Sequence, residues 1–375
     1  MMSSTPPSGT KSATFISEKA PASSFLSRFL RWEWMLVGLI LVDVFINMRL
    51  TPYFMDARNL SRTSSDFMEI GLMMLPMVFI IITGNIDLSV ASNMGMSASL
   101  MGLLHNMGVN IWVAAACGLL LGILGGMLNG YLISKVKLPA LVVTLGTYAF
   151  YRGLAYGFLG DQAARDYPAA FTYFGQGKVF GTLIPFSVAL FLFMAVIFGL
   201  VLHRTTFGRY LYSIGNNENA TNYSGIDVSK TKFIIYTISG FMASLAGLIL
   251  AARFGSTRPD NGTGLELAVI TAAVLGGVDI NGGNGSMVGA VLSLLLIGLM
   301  RFGMSLVNIQ GQVQGIAIGL LLILSILIPS LIRGISTMGR DINRRSVFSA
   351  LIFLLIFVLF FIFFFWSRAA VIANI

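Results

Sequence analysis

Reactive side chains are scarce in this chain of 375 residues. Cys117 is the single cysteine and lies in the apolar run Ala114-Ala115-Ala116-Cys117-Gly118-Leu119, which leaves no intrachain disulfide and no cysteine metal cluster. His105 and His203 are the two histidines and form no HExxH pair, so a metal-ligating set is not expected. No GxxxxGK[ST] run occurs, so the chain has no phosphate-binding loop of its own. A metalloenzyme, a self-sufficient ATPase and a membrane-embedded enzyme with a catalytic cluster all lack their chemistry here.

The polar residues that remain sit beside or inside apolar runs. Asp87 follows Gly84-Asn85-Ile86 at a break between two such runs. It reads either as a gate or as a helix cap acting through its own side chain or Ser89. Asp43 lies inside the first apolar run, with Asn47 one turn on. Acids in lipid are costly and usually functional. No intramembrane His or Lys faces Asp43, which favours a hydrogen bond to Asn47 or a neighbouring helix over a proton relay. Thr144, Thr147, Tyr148 and Tyr151 recur at helical spacing, followed by Arg152. Hydroxyls and rings on one stripe suit a sugar, and they equally suit packing between membrane helices.

These residues are carried by a chain that is 56% hydrophobic and only 10% charged. A soluble fold needs roughly 25% charged residues to cover its surface; lipid removes that need. The net charge of +9 falls in short segments between apolar runs, as in Lys135, Lys137, Arg340 and Arg345. Topology explains it better than nucleic-acid binding. Apolar runs near 33–50, 67–83, 88–105, 110–134, 139–160, 181–203, 232–253, 265–278, 286–306, 311–333 and 347–367 give eleven candidate spans. The expected fold is thus an all-α polytopic membrane protein, a ten-span core over 32–333 with broken helices plus an eleventh C-terminal span at 347–367. Residues 1–31 read as a disordered cytoplasmic tail rather than a cleaved leader. Gly122, Gly125, Gly126 and Gly130 predict close helix packing, and the 20 Met residues a soft packing surface rather than metal sites. Gly84-Asn85-Ile86-Asp87-Leu88-Ser89 is echoed by Gly276-Gly277-Val278-Asp279-Ile280-Asn281, which points to a duplicated transporter core with discontinuous helices.

The longest polar segment between spans runs from His203 to Lys232, with the loop proper at 204–231. Asn217 is placed to cap a short helix from Glu218 to Tyr223, with Gly225 closing it. A structured loop of this length predicts contact with another molecule.

Four stretches, in order along 32–331, resemble the ribose-type (monosaccharide) ABC transporter permease family. They are Ile82-Thr83-Gly84-Asn85-Ile86-Asp87-Leu88-Ser89; Leu138-Pro139-Ala140-Leu141-Val142-Val143-Thr144-Leu145-Gly146-Thr147 with Arg152-Gly153-Leu154-Ala155-Tyr156; Phe207-Gly208-Arg209 with Ser213-Ile214-Gly215-Asn216-Asn217-Glu218-Asn219-Ala220 and Ser224-Gly225-Ile226; and Leu265-Glu266-Leu267 with Val274-Leu275-Gly276-Gly277. The segment Ala252 to Asp260 resembles the branch that imports rhamnose or autoinducer-2.

The resemblance implies a permease subunit of a bacterial ATP-driven importer for a monosaccharide or sugar-like molecule, in the inner membrane with its N-terminus cytoplasmic. It implies three partners besides the lipid bilayer: a second permease chain, a cytosolic ATPase that holds the ATP and magnesium, and a periplasmic or lipid-anchored binding protein. No nucleic acid, and no cofactor in this chain, is implied. Gly208, Arg209, Gly215, Asn217, Glu218, Asn219, Ala220, Ser224 and Gly225 would couple to the ATPase. Asn85, Asp87, Ser89, Thr144, Thr147, Tyr148, Tyr151 and Glu266 would line the pathway. One departure falls at Asn85, where the family has a second glycine. An ion-coupled secondary transporter is the alternative; it needs acids and bases deep in several spans.

Overall fold

The computed structural model describes residues 32–336; the tail 1–31 and the run 347–367 lie outside the described residues. The described residues form fourteen α-helices and no strands. In order they are α1 (Trp32–Leu50), α2 (Ala57–Ser65), α3 (Met68–Ile82), α4 (Val90–Asn106), α5 (Ile111–Ser134), α6 (Ala140–Leu159), α7 (Ala169–Gln176), α8 (Phe186–Arg204), α9 (Thr206–Asn216), α10 (Glu218–Tyr223), α11 (Val228–Phe254), α12 (Leu265–Leu275), α13 (Met287–Leu306) and α14 (Gly311–Ser336).

Local chemistry sets the boundaries. Pro139, Pro168 and Pro185 stand just before α6, α7 and α8, where a missing N–H costs nothing. Asp56 and Asn110 cap α2 and α5 with side-chain oxygens. Gly255, in the left-handed region, stops α11.

Helix α3 is buried at every residue from Met68 to Ile82, so a helix apolar all round except for Glu69 in its first turn occupies the centre of the bundle. Helix α11 packs against it and against α5, whose Gly122, Gly126 and Gly130 face α11. A Cβ on Gly126 would strike the backbone of Tyr236 and Gly240. The expected glycine contact therefore joins α5 to α11, and Gly125 turns instead toward Asn93 and Tyr151.

The outer faces of the bundle are apolar: Leu120 and Leu124 on α5, Val142 and Leu145 on α6, and Phe193, Val196 and Leu200 on α8 are exposed. An exposed belt of this kind needs lipid against it. Helices α5, α8, α11 and α13 are each long and apolar enough to cross a membrane, and α2 with α3, bent by 51°, passes the same test as a pair, as a broken span or a re-entrant loop. The others match the expected runs in position but carry more charge or fall short: α1 holds Glu33, Asp43 and Arg49, and α12 has 11 residues. Three helices were not legible as apolar runs. Helices α2, α7 and α9 are short, at 9, 8 and 11 residues, too short for an apolar run that spans a membrane.

Candidate functional site

The internal echo is a repeat of geometry. Helices α3 and α12 end in the same Schellman turn. Gly84 (φ +75°) and Gly277 (φ +86°) occupy the left-handed position. Asn85 N donates to Ile80 O at 3.2 Å and Gly84 N to Ile81 O at 2.8 Å; Val278 N donates to Ala273 O at 3.3 Å and Gly277 N to Val274 O at 2.9 Å. Each turn is followed by an Asp whose carboxylate accepts from the residue two further on: Ser89 N to Asp87 Oδ1 at 2.9 Å, Asn281 N to Asp279 Oδ1 at 3.0 Å. Asn85 donates to Thr83 O and Thr83 Oγ1, so its amide closes the end of α3.

Beyond this shared turn, Asp87 is drawn into a buried knot. Its Oδ1 also accepts from Ser89 Oγ (2.6 Å) and its Oδ2 from Ser239 Oγ of α11 (3.1 Å). Asn129 of α5 donates to Ser89 Oγ at 2.8 Å, and Tyr151 of α6 donates to Gly125 O at 2.8 Å. Asp87, Ser89, Asn129 and Tyr151 are all buried. Four elements are thereby tied at one point by a buried hydrogen-bond network. Thr144 and Thr147 are buried too, and their hydroxyls donate back to Ala140 O and Val143 O of their own helix. The stripe on α6 is thus brought together as expected and faces α4, with Tyr148 half-buried at its edge.

The loop after α8 holds two helices rather than one. Helix α10 has the expected limits and cap: Asn217 Oδ1 accepts from Ala220 N at 2.9 Å, and Gly225 closes the helix at φ +87°. Glu218 pairs with Lys232 of α11 at 2.7 Å. Asn217, Glu218, Asn219, Ala220, Ser224 and Gly225 are exposed, and Tyr223 is 90% exposed. A bare ring on a six-residue polar helix has the composition of an interface anchor.

Helix α9 turns its buried side inward. Gly208 and Gly215 allow close approach: a Cβ on Gly208 would strike Leu202 O, and one on Gly215 would strike Ile82 O and Gly283 N. Arg209 of this helix is exposed. Tyr212 Oη donates to Gly285 O at 2.8 Å, Gly283 N donates to Ile82 O at 2.8 Å, and Met287 N donates to His203 Nε2 at 3.3 Å. One short helix therefore rests on the broken ends of both α3 and α12. The sequence signals single out Gly208 and Gly215; they give no sign of Tyr212, His203 or Tyr223.

A family model described as "Branched-chain amino acid transport system / permease component" matches residues 59–326. The chain belongs to this permease family. Similar proteins include the autoinducer 2 import system permease protein LsrD of Klebsiella pneumoniae, 35% identical over 308 residues (80% of this chain, 92% of the relative). LsrD of an Enterobacter species is 35% identical over 308 residues (80% and 94%), and that of Photorhabdus temperata 34% over 301 residues (79% and 90%). No solved structure matches. The resemblance read from the motifs holds, and this permease is a multi-pass inner-membrane protein.

At the other end of the permease, Arg253 at the close of α11 donates to Glu69 Oε1 (2.9 Å) and Asp66 Oδ1 (2.7 Å) at the α2–α3 bend. Glu266 is buried at the start of α12. Asp43 is joined to Asn47 as expected, Asn47 donating to the backbone carbonyl of Asp43 at 2.9 Å, with the two side chains also interacting. One turn of helix brings the amide to the carbonyl, and the Asn47 oxygen sits against Gly303 of α13.

Proposed function

We propose that this permease forms, with a second permease chain, the translocation pathway of an ATP-driven importer for a sugar-like molecule, of the kind named by its autoinducer 2 relatives, or a monosaccharide such as ribose or rhamnose. The observation that carries this reading is the α9–α10 unit. It offers an exposed polar helix with the bare Tyr223 on one side and clasps both broken helix ends on the other. Docked on a cytosolic ATPase that holds ATP and magnesium, α10 would pass closure of the ATPase through α9 to the α12 end. Rigid-body rocking then follows from contacts that differ between the two states. Gly208, Arg209, Gly215, Asn217, Glu218, Asn219, Ala220, Ser224 and Gly225 serve this coupling.

The ends of α3, α8 and α12 and the start of α13 gather beside α9. With the α2–α3 pair counted once and α7, α9 and α10 set aside, the described helices make ten crossings with the N-terminus cytoplasmic. Tyr148 and Glu266 face the pathway, while Asn85, Asp87, Ser89, Thr144, Thr147 and Tyr151 hold its wall. A periplasmic or lipid-anchored binding protein delivers cargo at the Arg253 end.

The test is reconstitution with the partner ATPase and binding protein, with uptake measured under ATP and under proton or sodium gradients. ATP-dependent uptake of ribose, rhamnose or autoinducer 2 is expected. Uptake that follows the gradient and ignores ATP would instead identify an ion-coupled transporter. Leucine is the control cargo, since the family description names branched-chain amino acids; uptake of leucine alone would refute the sugar reading.

A further inference from the structure

Away from the coupling unit, the half-buried Arg152 and the buried Glu266 interact without pairing. Arg152 leaves α6 across Gly95 of α4, where any side chain on residue 95 would meet its guanidinium. Its Nη1 donates to Pro259 O at 2.5 Å and to Asn261 O at 3.1 Å, in the loop that leads into α12. Its Nε and Nη2 are buried and have no acceptor. Glu266, in the first turn of α12, is 9% exposed, and its Oε2 is buried without a donor. The two residues feel each other electrostatically, and Tyr148 and Tyr156, one turn to either side of Arg152, also act on the guanidinium.

The ion pairs among the described residues are Lys232–Glu218, Arg253–Asp66, Arg253–Glu69 and Arg258–Asp260. Arg152 and Glu266 therefore stop short of contact. Unsatisfied polar atoms at buried charges are costly and seldom retained without a use. Their chemistry restricts what would satisfy both. A cation suits Glu266 and is repelled by Arg152; an anion meets the reverse. A hydroxyl donates and accepts, so neighbouring hydroxyls on one small molecule satisfy the carboxylate oxygen and the guanidinium fork together. The ring of Tyr148 offers an apolar face of the kind that covers the C–H side of a sugar, and its phenolic hydroxyl can donate to or accept from a further cargo hydroxyl.

We propose that Arg152, Glu266 and Tyr148 form a binding site for a neutral polyol within the permease itself, with Glu266 Oε2 accepting from one hydroxyl and Arg152 Nε and Nη2 donating to its neighbour. The proposal rests on the importer reading and names where its cargo is held. The loop that Arg152 grips also lines a cavity of ≈ 500 Å³ together with Glu69, Arg253, Asp260, Asn261 and Thr263, a volume in the range of small-molecule sites.

The test uses the complete importer in proteoliposomes, with ribose, rhamnose and autoinducer 2 as cargo, at matched amounts of folded permease. Cargo delivered per ATP hydrolysed is compared for wild type, Glu266→Gln, Arg152→Lys and Tyr148→Phe. A fall of about tenfold is expected for the first two variants, the scale for losing a hydrogen bond to a charged group, and a smaller fall for Tyr148→Phe. Tyr148→Phe removes one hydroxyl from a half-buried ring, so its effect is not that of a misfolded protein. Wild-type yields in Glu266→Gln and Tyr148→Phe, with loss confined to Arg152→Lys, would make Arg152 a pin for the loop and overturn the site. A wild type that hydrolyses ATP and moves none of the three cargoes would overturn the sugar-import reading itself, and the site with it.

Discussion

The turn at Gly84–Ser89 and the turn at Gly276–Asn281 share one backbone geometry and have opposite surroundings. The first is tied to the scaffold: Asp87 is buried, and Ser89 and Ser239 donate to it while Asn129 donates to Ser89. The second opens into a loop whose Gly283 and Gly285 are held by α9, through the close approach of Gly215 and the Tyr212 hydroxyl. A turn can thus be copied while its side-chain partners decide whether it is a fixed point or a handle. A welded turn resists motion because a buried polar network is costly to break. The second turn is tied too, by Gly283 N to Ile82 O and by Trp32 Nε1 to Leu275 O, but it meets α9 through the Tyr212 hydroxyl and the Gly215 contact, which link it to that helix.

The largest effect is expected from breaking the weld. Asp87→Ala strands Ser89 N–H and the Ser239 hydroxyl in the core, a loss of about 3 kcal/mol on the scale of a lost buried network. Asp279→Ala removes the bonds that Asn281 N and Nδ2 make to the carboxylate at a half-buried position, worth roughly 1 kcal/mol. Thermal melting of the two purified variants in detergent should show a marked drop for the first and a small one for the second. Equal drops would mean that the two turns are equally anchored.

Next comes separation of α9 from the handle. Gly215→Val places two methyls against Ile82 O and the Gly283 backbone, and ATP-driven uptake should fall by more than tenfold while the protein still inserts. On α10, Gly225→Pro forbids the left-handed turn (φ +87°), and Glu218→Lys sets two like charges together at Lys232. Both should abolish ATP-driven uptake with insertion intact, as read by membrane yield. Survival of uptake in both would remove α10 from the coupling path. Tyr223→Ala takes away the exposed ring, and affinity for the partner ATPase in a pull-down titration should weaken by about tenfold, the lower range for an anchor residue. The smallest effect belongs to Tyr212→Phe, which loses one bond to Gly285 O. At about 1 kcal/mol, uptake should drop a fewfold, and the same change made to Tyr210, an exposed neighbour, should have no effect.

Residue types alone dictated a good deal here. Apolar runs named the positions of ten described helices because lipid demands continuous hydrophobicity. Asn217 and Gly225 marked both ends of α10, since capping and left-handed turns depend on a few adjacent residues. The paired Gly-x-x-Asp segments announced the two turns for the same reason. What local chemistry could not reveal was partnership across the bundle. That Arg253 closes on Asp66 and Glu69, that Arg152 passes over Gly95 to a loop more than 100 residues away, and that Tyr212 holds Gly285 all depend on which helices become neighbours. The side-chain stripe on α6 reads equally as pathway lining or as packing, and only the structure shows that α4 lies against it. Sequence determined the helices, their caps and the duplicated turn, because each rests on contacts within a few residues. Tertiary structure alone decided which turn is welded and which is held by α9, because burial and hydrogen-bond partners belong to the neighbouring helices.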